Sequence, residues 1–167
     1  MIIWINGSFG VGKTTISEKL KERIYGSIVY DPEDIGVFLI NTLPIKENDF
    51  QDYELWRTLN YEILKDLNKK FETIIVPMTI TNPKYYDEIV GKLEKKGINI
   101  KHFILIASRE NLIKRLNSRE NSTEWTYLQI DRCINAFESD DFKGQKINTN
   151  NQSIDKVSNN IIKILNN

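Results

Sequence analysis

"WINGSFGVGKTT", residues 4–15, runs from an apolar, strand-like start through a glycine-bearing turn into a helix-forming stretch. Within it, Gly7-Ser8-Phe9-Gly10-Val11-Gly12-Lys13-Thr14 fits the spacing G-x-x-x-x-G-K-[ST]. A phosphate chain carries several negative charges that must be met by donors arranged around it. A loop of this spacing turns successive backbone N–H groups inward, and the helix that follows adds its positive dipole end. Glycines at 7, 10 and 12 permit backbone angles and close approaches that side chains would block. Lys13 is placed to reach the outer phosphates, Thr14 can ligate Mg²⁺ through its hydroxyl, and Thr15 completes the nucleotide-binding run.

The rest of the chain agrees with a strand–loop–helix opening. Apolar runs at 2–5, 27–30, 73–78 and 101–107 read as strands, with a weaker fifth candidate at 143–148. They are nearly continuous in apolar residues, as strands buried on both faces of a parallel sheet must be. Between them lie amphipathic stretches: Ile16, Leu20 and Ile24; Leu55, Leu59, Ile63 and Leu67; Tyr86, Ile89, Val90 and Leu93; Ile130, Cys133, Ile134 and Phe137; and Ile154, Val157, Ile161 and Leu165. Asp31-Pro32 and Asn82-Pro83 read as helix caps followed by proline at the first helical position. Such alternation implies right-handed βαβ crossovers and an α/β fold, a three-layer α/β/α sandwich. No linker or repeat interrupts it, so residues 1–167 read as a single domain.

Composition narrows the partners. Lys+Arg and Asp+Glu both number 23, so the net charge is zero and no basic surplus points to nucleic acid. Cys133 is the only cysteine, which excludes an internal disulfide framework and a cysteine-based zinc cluster. No apolar run approaches the length needed to span a bilayer. The opening "MIIWING" lacks a basic leader and a cleavage site, and a cytoplasmic location is the expectation.

Three arginines stand out because their helical neighbours offer no acid. Most helix charges sit on a solvated face with partners three or four residues away, as Lys114 does with Glu110 and Arg57 with Glu54. Arg115 and Arg119 have no such partner and sit four apart, like charges on one face if the helix continues. Two guanidinium groups waiting for a polyphosphate have this appearance. The polar stretch "SRENSTEWT" follows, and then a helix on which Arg132, again without a local acid, shares a face with Trp125 and Gln129. A polar segment bracketed by such arginines, near 115–132, suggests a lid that closes over phosphates and excludes water.

Phosphoryl transfer also needs Mg²⁺ held in place and often a carboxylate near the acceptor hydroxyl. Asp31, at the end of the second strand in "VYDPED", is the candidate for both roles; it also reads as a helix N-cap, with Glu33 and Asp34 in the first turn where the dipole favours them. The third strand ends "VPMTITNP", with threonines where nucleotide-binding enzymes of this type commonly place an acid. His102 and Cys133 read as packed groups, and Trp4 as core. Tyr53 and Trp56 suit either core packing or an apolar substrate pocket.

The stretches "IIWINGSFGVGKT", "VYDPEDIG", "DFQDYELWR", "IIVPMTI", "HFILIASRENLIKRL" and "QIDRC" together resemble the tunicamycin-resistance proteins, a branch of the P-loop nucleoside/nucleotide-kinase-like fold. The resemblance implies a five-stranded parallel sheet and ATP binding through Gly7 to Thr14. It also implies a lid from Arg115 to Arg132, and an adenine border formed by "INTNNQSIDKV". It implies a small-molecule partner, tunicamycin, a nucleoside antibiotic with a sugar core and a fatty acyl chain. Compared with shikimate kinases of the same fold, "LWRTLN" carries Asn60 where those enzymes tend to have glutamate.

Two functions follow from these residues. One is ATP- and Mg²⁺-dependent phosphotransfer, with Lys13, Arg115 and Arg119 stabilising transferred charge, Arg132 joining them at the nucleotide, and Asp31 serving the acceptor or the metal. The other is a nucleotide-gated protein that sequesters the antibiotic unmodified. A switch GTPase is disfavoured because no [NT]-K-x-D guanine-reading motif is present.

Overall fold

All six residues of strand β1 (Ile2–Gly7) are buried, because β1 is the middle strand of the sheet and is covered on both faces. The computed structural model describes residues 1–44, 47–120 and 122–166. Beside β1 run β2 (Ser27–Val29), β3 (Thr73–Pro77), β4 (Ile100–Ile106) and β5 (Gln145–Asn148), in the order β2-β3-β1-β4-β5. Every pairing is parallel, with Trp4 opposite Val76 on one side and His102 on the other. The five strands lie where the apolar runs place them, with ends shifted by a residue or two.

The helices are α1 (Lys13–Arg23), α2 (Glu33–Thr42), α3 (Glu54–Lys70), α4 (Pro83–Tyr86), α5 (Lys92–Lys95), α6 (Arg109–Asn117), α7 (Glu124–Glu138) and α8 (Ile154–Leu165). Alternation along β1 sorts them into two layers. Ile3 and Ile5 join a core built with Leu20, Leu112, Leu116 and Ile161, from α1, α6 and α8. Ile2 and Trp4 point the other way, into a core with Leu39, Trp56, Leu64 and Leu93, from α2, α3 and α5. Helix α7 covers Ile104 on that second face through Cys133 and Phe137. Each buried aliphatic or aromatic side chain contributes roughly 1.5–3 kcal/mol, which is why the stripes, and not local propensity, decide the layers.

One helix differs from its periodicity. The stripe of Tyr86, Ile89, Val90 and Leu93 implies an unbroken α-helix, but a π-helical turn at Asp87–Gly91 separates α4 from α5. A Cβ on Gly91 would collide with the Asp87 carboxylate, so glycine there makes room for the wider turn.

Candidate functional site

The phosphate loop leaves the centre of the sheet at Gly7 and enters α1 at Lys13. Gly10 has φ +79°, and a Cβ there would meet the Leu112 carbonyl at 3.1 Å and the Leu116 side chain at 3.0 Å. The loop can therefore lie against α6 only with glycine at that position. Thr14 and Thr15 are exposed in the first turn of α1, and that turn contains no acid to compete with an anion at the helix dipole. The Lys13 Nζ donates to the carbonyls of Gly7 (3.1 Å) and Ser8 (3.2 Å) and lies 5.4 Å from the Phe9 ring centre. Burial pulls its pKa below the ordinary lysine value, opposed chiefly by the nearby Glu33 carboxylate.

Next to the loop is a cavity of about 260 Å³ lined by Gly12, Thr15, Arg115, Arg119, Thr149 and Gln152, among others. Arg115 is fixed there by its neighbours: its Nη1 donates to the Val11 carbonyl (3.2 Å) and the Thr149 hydroxyl (3.0 Å), and its Nη2 to the Thr149 carbonyl (2.6 Å). All three acceptors are neutral, so its charge stays uncompensated while its fork is oriented. Arg119 lies two residues beyond the end of α6, is exposed, and forms no ion pair among the described residues. It also lines a second hollow of about 510 Å³ with Phe9, Leu116, Ser122 and Thr126. The loop from Asn148 to Gln152 borders the 260 Å³ cavity through Thr149 and Gln152, in the stretch expected beside adenine.

A group of carboxylates lies on the other side of Lys13. Pro32, not Asp31, is the N-cap of α2, and Asp31 just before it accepts the Glu33 N–H on its Oδ1 at 2.9 Å. Burial raises the pKa of Asp31, Glu33 and Asp49 above ordinary carboxyl values; the Glu33 N–H bond opposes this at Asp31, Lys13 at Glu33, and the Gln51 N–H at Asp49. The base of α2 is pinned by the Trp56 Nε1–H donating to the Pro32 carbonyl at 2.9 Å. Arg132 of α7 reaches this group, with Nη2 3.8 Å from Asp49 Oδ2. Trp125, seven residues earlier on the same helix, meets Phe9 of the phosphate loop edge-on at 5.4 Å. The α7 face carrying Trp125 and Arg132 therefore spans from the loop to the acidic group.

The end of β3 is occupied by structural bonds. Thr79 donates its hydroxyl to the Gly7 carbonyl at 2.8 Å, its own carbonyl accepts from Gln51 Nε2 at 3.0 Å, and the Asn6 amide pairs with the Ile80 backbone at 3.0 Å. Among the described residues no cluster of three metal-ligating His, Cys, Asp or Glu side chains occurs. Thr14, in the first turn of α1, and Asp31 and Glu33, at the start of α2, carry hard oxygen donors of the kind that suits Mg²⁺ completed by phosphates and water.

Several residues sit differently from their sequence patterns. Arg57 does not pair with Glu54: it is 8% exposed, bonds Glu88 at 2.6 Å and the Gln51 carbonyl at 2.6 Å, and lies over the Tyr85 ring. Asn60 is fully buried, accepting from the Tyr30 hydroxyl at 2.6 Å, and Trp56 is core. Arg132 has an acid after all, in Asp49, from another element. Sequence reasoning missed Glu33 as more than a dipole residue and missed Trp125 as a loop contact. The signal for Trp125 was its i, i+7 relation to Arg132. His102 is a packed group, as its strand position implies, with Nδ1 2.9 Å from the Tyr86 hydroxyl.

Comparison with known proteins places this geometry in a family. The model of the AAA domain family matches residues 2–139. The structure of a Deinococcus radiodurans tunicamycin resistance protein superposes with a TM-score of 0.82 at 30% identity, covering 98% of this chain and 94% of that one. A sugar kinase from Janibacter sp. HTCC2649 aligns with a TM-score of 0.69 at 17% identity, over 99% of this chain and 94% of that one. A shikimate kinase from Bacteroides thetaiotaomicron aligns at 0.67 and 15%, over 100% and 99%. These two likenesses carry the fold alone. No curated protein sequence matches the chain. With its P-loop, its five-stranded parallel sheet and the whole-length similarity to the D. radiodurans protein, the chain belongs to the tunicamycin-resistance proteins of the AAA domain family.

Proposed function

We propose that the protein is an ATP-dependent phosphotransferase that modifies a tunicamycin-like nucleoside antibiotic. The observation that carries this reading is the division of charge around Lys13: uncompensated arginines on the nucleotide side, and half-buried carboxylates on the other. A protein that only holds a nucleotide has little need for that arrangement.

In this reading the backbone of Gly7 to Thr15 and the Lys13 ammonium hold the phosphates, while Arg115 and Arg119 border the base and phosphate chain. Mg²⁺, when bound, neutralises charge on the outer phosphates. Thr14 supplies a hydroxyl to it and Asp31 a carboxylate. Glu33, whose pKa burial raises above the ordinary carboxylate value, takes the proton of the acceptor hydroxyl. The segment from Arg115 to Arg132 works as the lid; Trp125 against Phe9 closes the loop side, and Arg132 against Asp49 the acceptor side. The charge balance of the chain offers nothing to nucleic acid, and ATP supply suits a cytoplasmic protein.

Sequestration without transfer is the second reading, favoured by one observation. The Thr79 hydroxyl is spent on the Gly7 carbonyl, so the end of β3 offers no ligand to a metal. Expression of Glu33→Gln in a tunicamycin-sensitive bacterium separates the two. Lost protection, with ATP binding intact in the purified variant, supports transfer. Full protection by Glu33→Gln supports sequestration.

A further inference from the structure

The ends of β4 and β5, together with α6 and α7, enclose a cavity of about 390 Å³ that shares no lining residue with the 260 Å³ nucleotide cavity. Its size falls within the usual range of small-molecule sites. Leu112, Ile134 and Phe137 give it apolar walls. Its charged groups are one of each sign: Glu138, and Lys146, whose Nζ donates to the Glu138 carbonyl at 3.3 Å. The remaining polar lining is uncharged.

Those polar groups are of complementary kinds. Ser8 is 4% exposed, and its hydroxyl makes no hydrogen bond beyond a weak one with the adjacent Cys133 thiol. A ligand donating to that hydroxyl would give it a full partner. Asn148 and Asn150 spend their side-chain oxygens on backbone and side-chain donors: Asn148 Oδ1 accepts from Asn150 N at 2.7 Å, and Asn150 Oδ1 from Ser108 N at 2.9 Å and Asn111 Nδ2 at 3.0 Å. That leaves their Nδ2 groups as donors. A ligand that suits this lining presents a flat apolar ring to Phe137, one carbonyl to an asparagine and one N–H to Ser8.

We infer that this cavity binds a small uncharged aromatic carboxamide, and that its occupancy is felt at the phosphate loop. The coupling has a physical path. Ser8 belongs to that loop, the Leu112 carbonyl lies against Gly10, and Asn148 and Asn150 flank Thr149, which holds Arg115. Coupling through a shared element acts equally in both directions. The site itself does not depend on which reaction the protein performs.

The test is titration of benzamide and nicotinamide into the full-length protein, labelled at backbone nitrogen and at Ile and Leu methyls and followed by NMR. The expected result is saturable millimolar shifts of the Ile134 and Leu112 methyls together with the Ser8 and Phe9 amides. Ala107→Phe, whose ring fills the cavity, should abolish the shifts, with Ala107→Leu as the milder filler should the first fail to fold. Absence of saturable shifts, or shifts that survive both fillers, overturns the site; shifts confined to the cavity methyls overturn the link to the loop.

Discussion

Arg115 and Thr149, 34 residues apart, form a two-point clasp: Nη1 donates to the Thr149 hydroxyl at 3.0 Å and Nη2 to the Thr149 carbonyl at 2.6 Å. The third bond, to the Val11 carbonyl at 3.2 Å, ties the same guanidinium to the phosphate loop. A lysine cannot reproduce a planar fork that meets three acceptors. Arg115→Lys is therefore expected to raise the Kd for ATP by roughly tenfold, and Arg115→Ala by more, measured by calorimetry. An unchanged Kd in both variants would remove Arg115 from the nucleotide site.

Asp31 and Glu33 flank Pro32, and the proposed mechanism gives them separate jobs. Asp31→Asn keeps an oxygen for the Glu33 N–H, so the start of α2 should keep that bond and stability should change by less than about 1 kcal/mol. Glu33→Gln removes the group nearest in charge to Lys13 and should cut turnover by roughly a hundredfold with ATP affinity retained. Because burial raises the Glu33 pKa, the acidic limb of the turnover profile should lie above the range of an ordinary carboxylate and disappear in Glu33→Gln. Equal losses from the two substitutions would contradict the division of roles.

Trp125 meets Phe9 edge-on at 5.4 Å, holding α7 over the phosphate loop. An aromatic pair of this kind contributes about 0.5–1.5 kcal/mol beyond its buried area. Trp125→Ala should leave the fold intact and admit water, raising ADP release in the absence of acceptor while lowering transfer. A variant with wild-type values for both would show that this contact does not close the site.

His102 supplies a pH prediction for the fold. Burial holds it neutral, with its pKa down at about 4 from an ordinary 6.5. Above 6.5 neither state binds the proton and stability is unaffected. As pH falls from 6.5 towards 4, the unfolded chain protonates first, so stability declines, by about 3 kcal/mol over that interval. Urea midpoints at several pH values should show this decline in the wild type and a flatter profile in His102→Gln. Equal slopes would place the loss elsewhere.

What the sequence discloses here depends on how far apart the interacting residues lie. The phosphate loop is legible because its whole geometry is local, in the spacing of Gly7, Gly12, Lys13 and Thr14. The sheet is legible because strands covered on both faces leave unbroken apolar runs, as "IIWI" does in β1. Arg57 was open to misreading because its acid, Glu88, lies 31 residues away while Glu54 offers a plausible local partner. Arg132 has no local acid, yet Asp49 meets it from the segment before α3. The π-turn at Asp87–Gly91 leaves the apolar stripe intact and so has no periodic signature. Glu33 has a sufficient local explanation at the start of α2, and its electrostatic interaction with Lys13, distant in sequence, leaves no local pattern.

The central claim is that phosphate moves from ATP to the antibiotic, and mass spectrometry of tunicamycin after incubation with the protein, ATP and Mg²⁺ tests it most directly. The expected result is an antibiotic heavier by one phosphate, with ADP formed in equal amount and neither product made by Lys13→Ala. Unmodified tunicamycin that is bound only when ATP is present would contradict transfer and leave a nucleotide-gated binding protein.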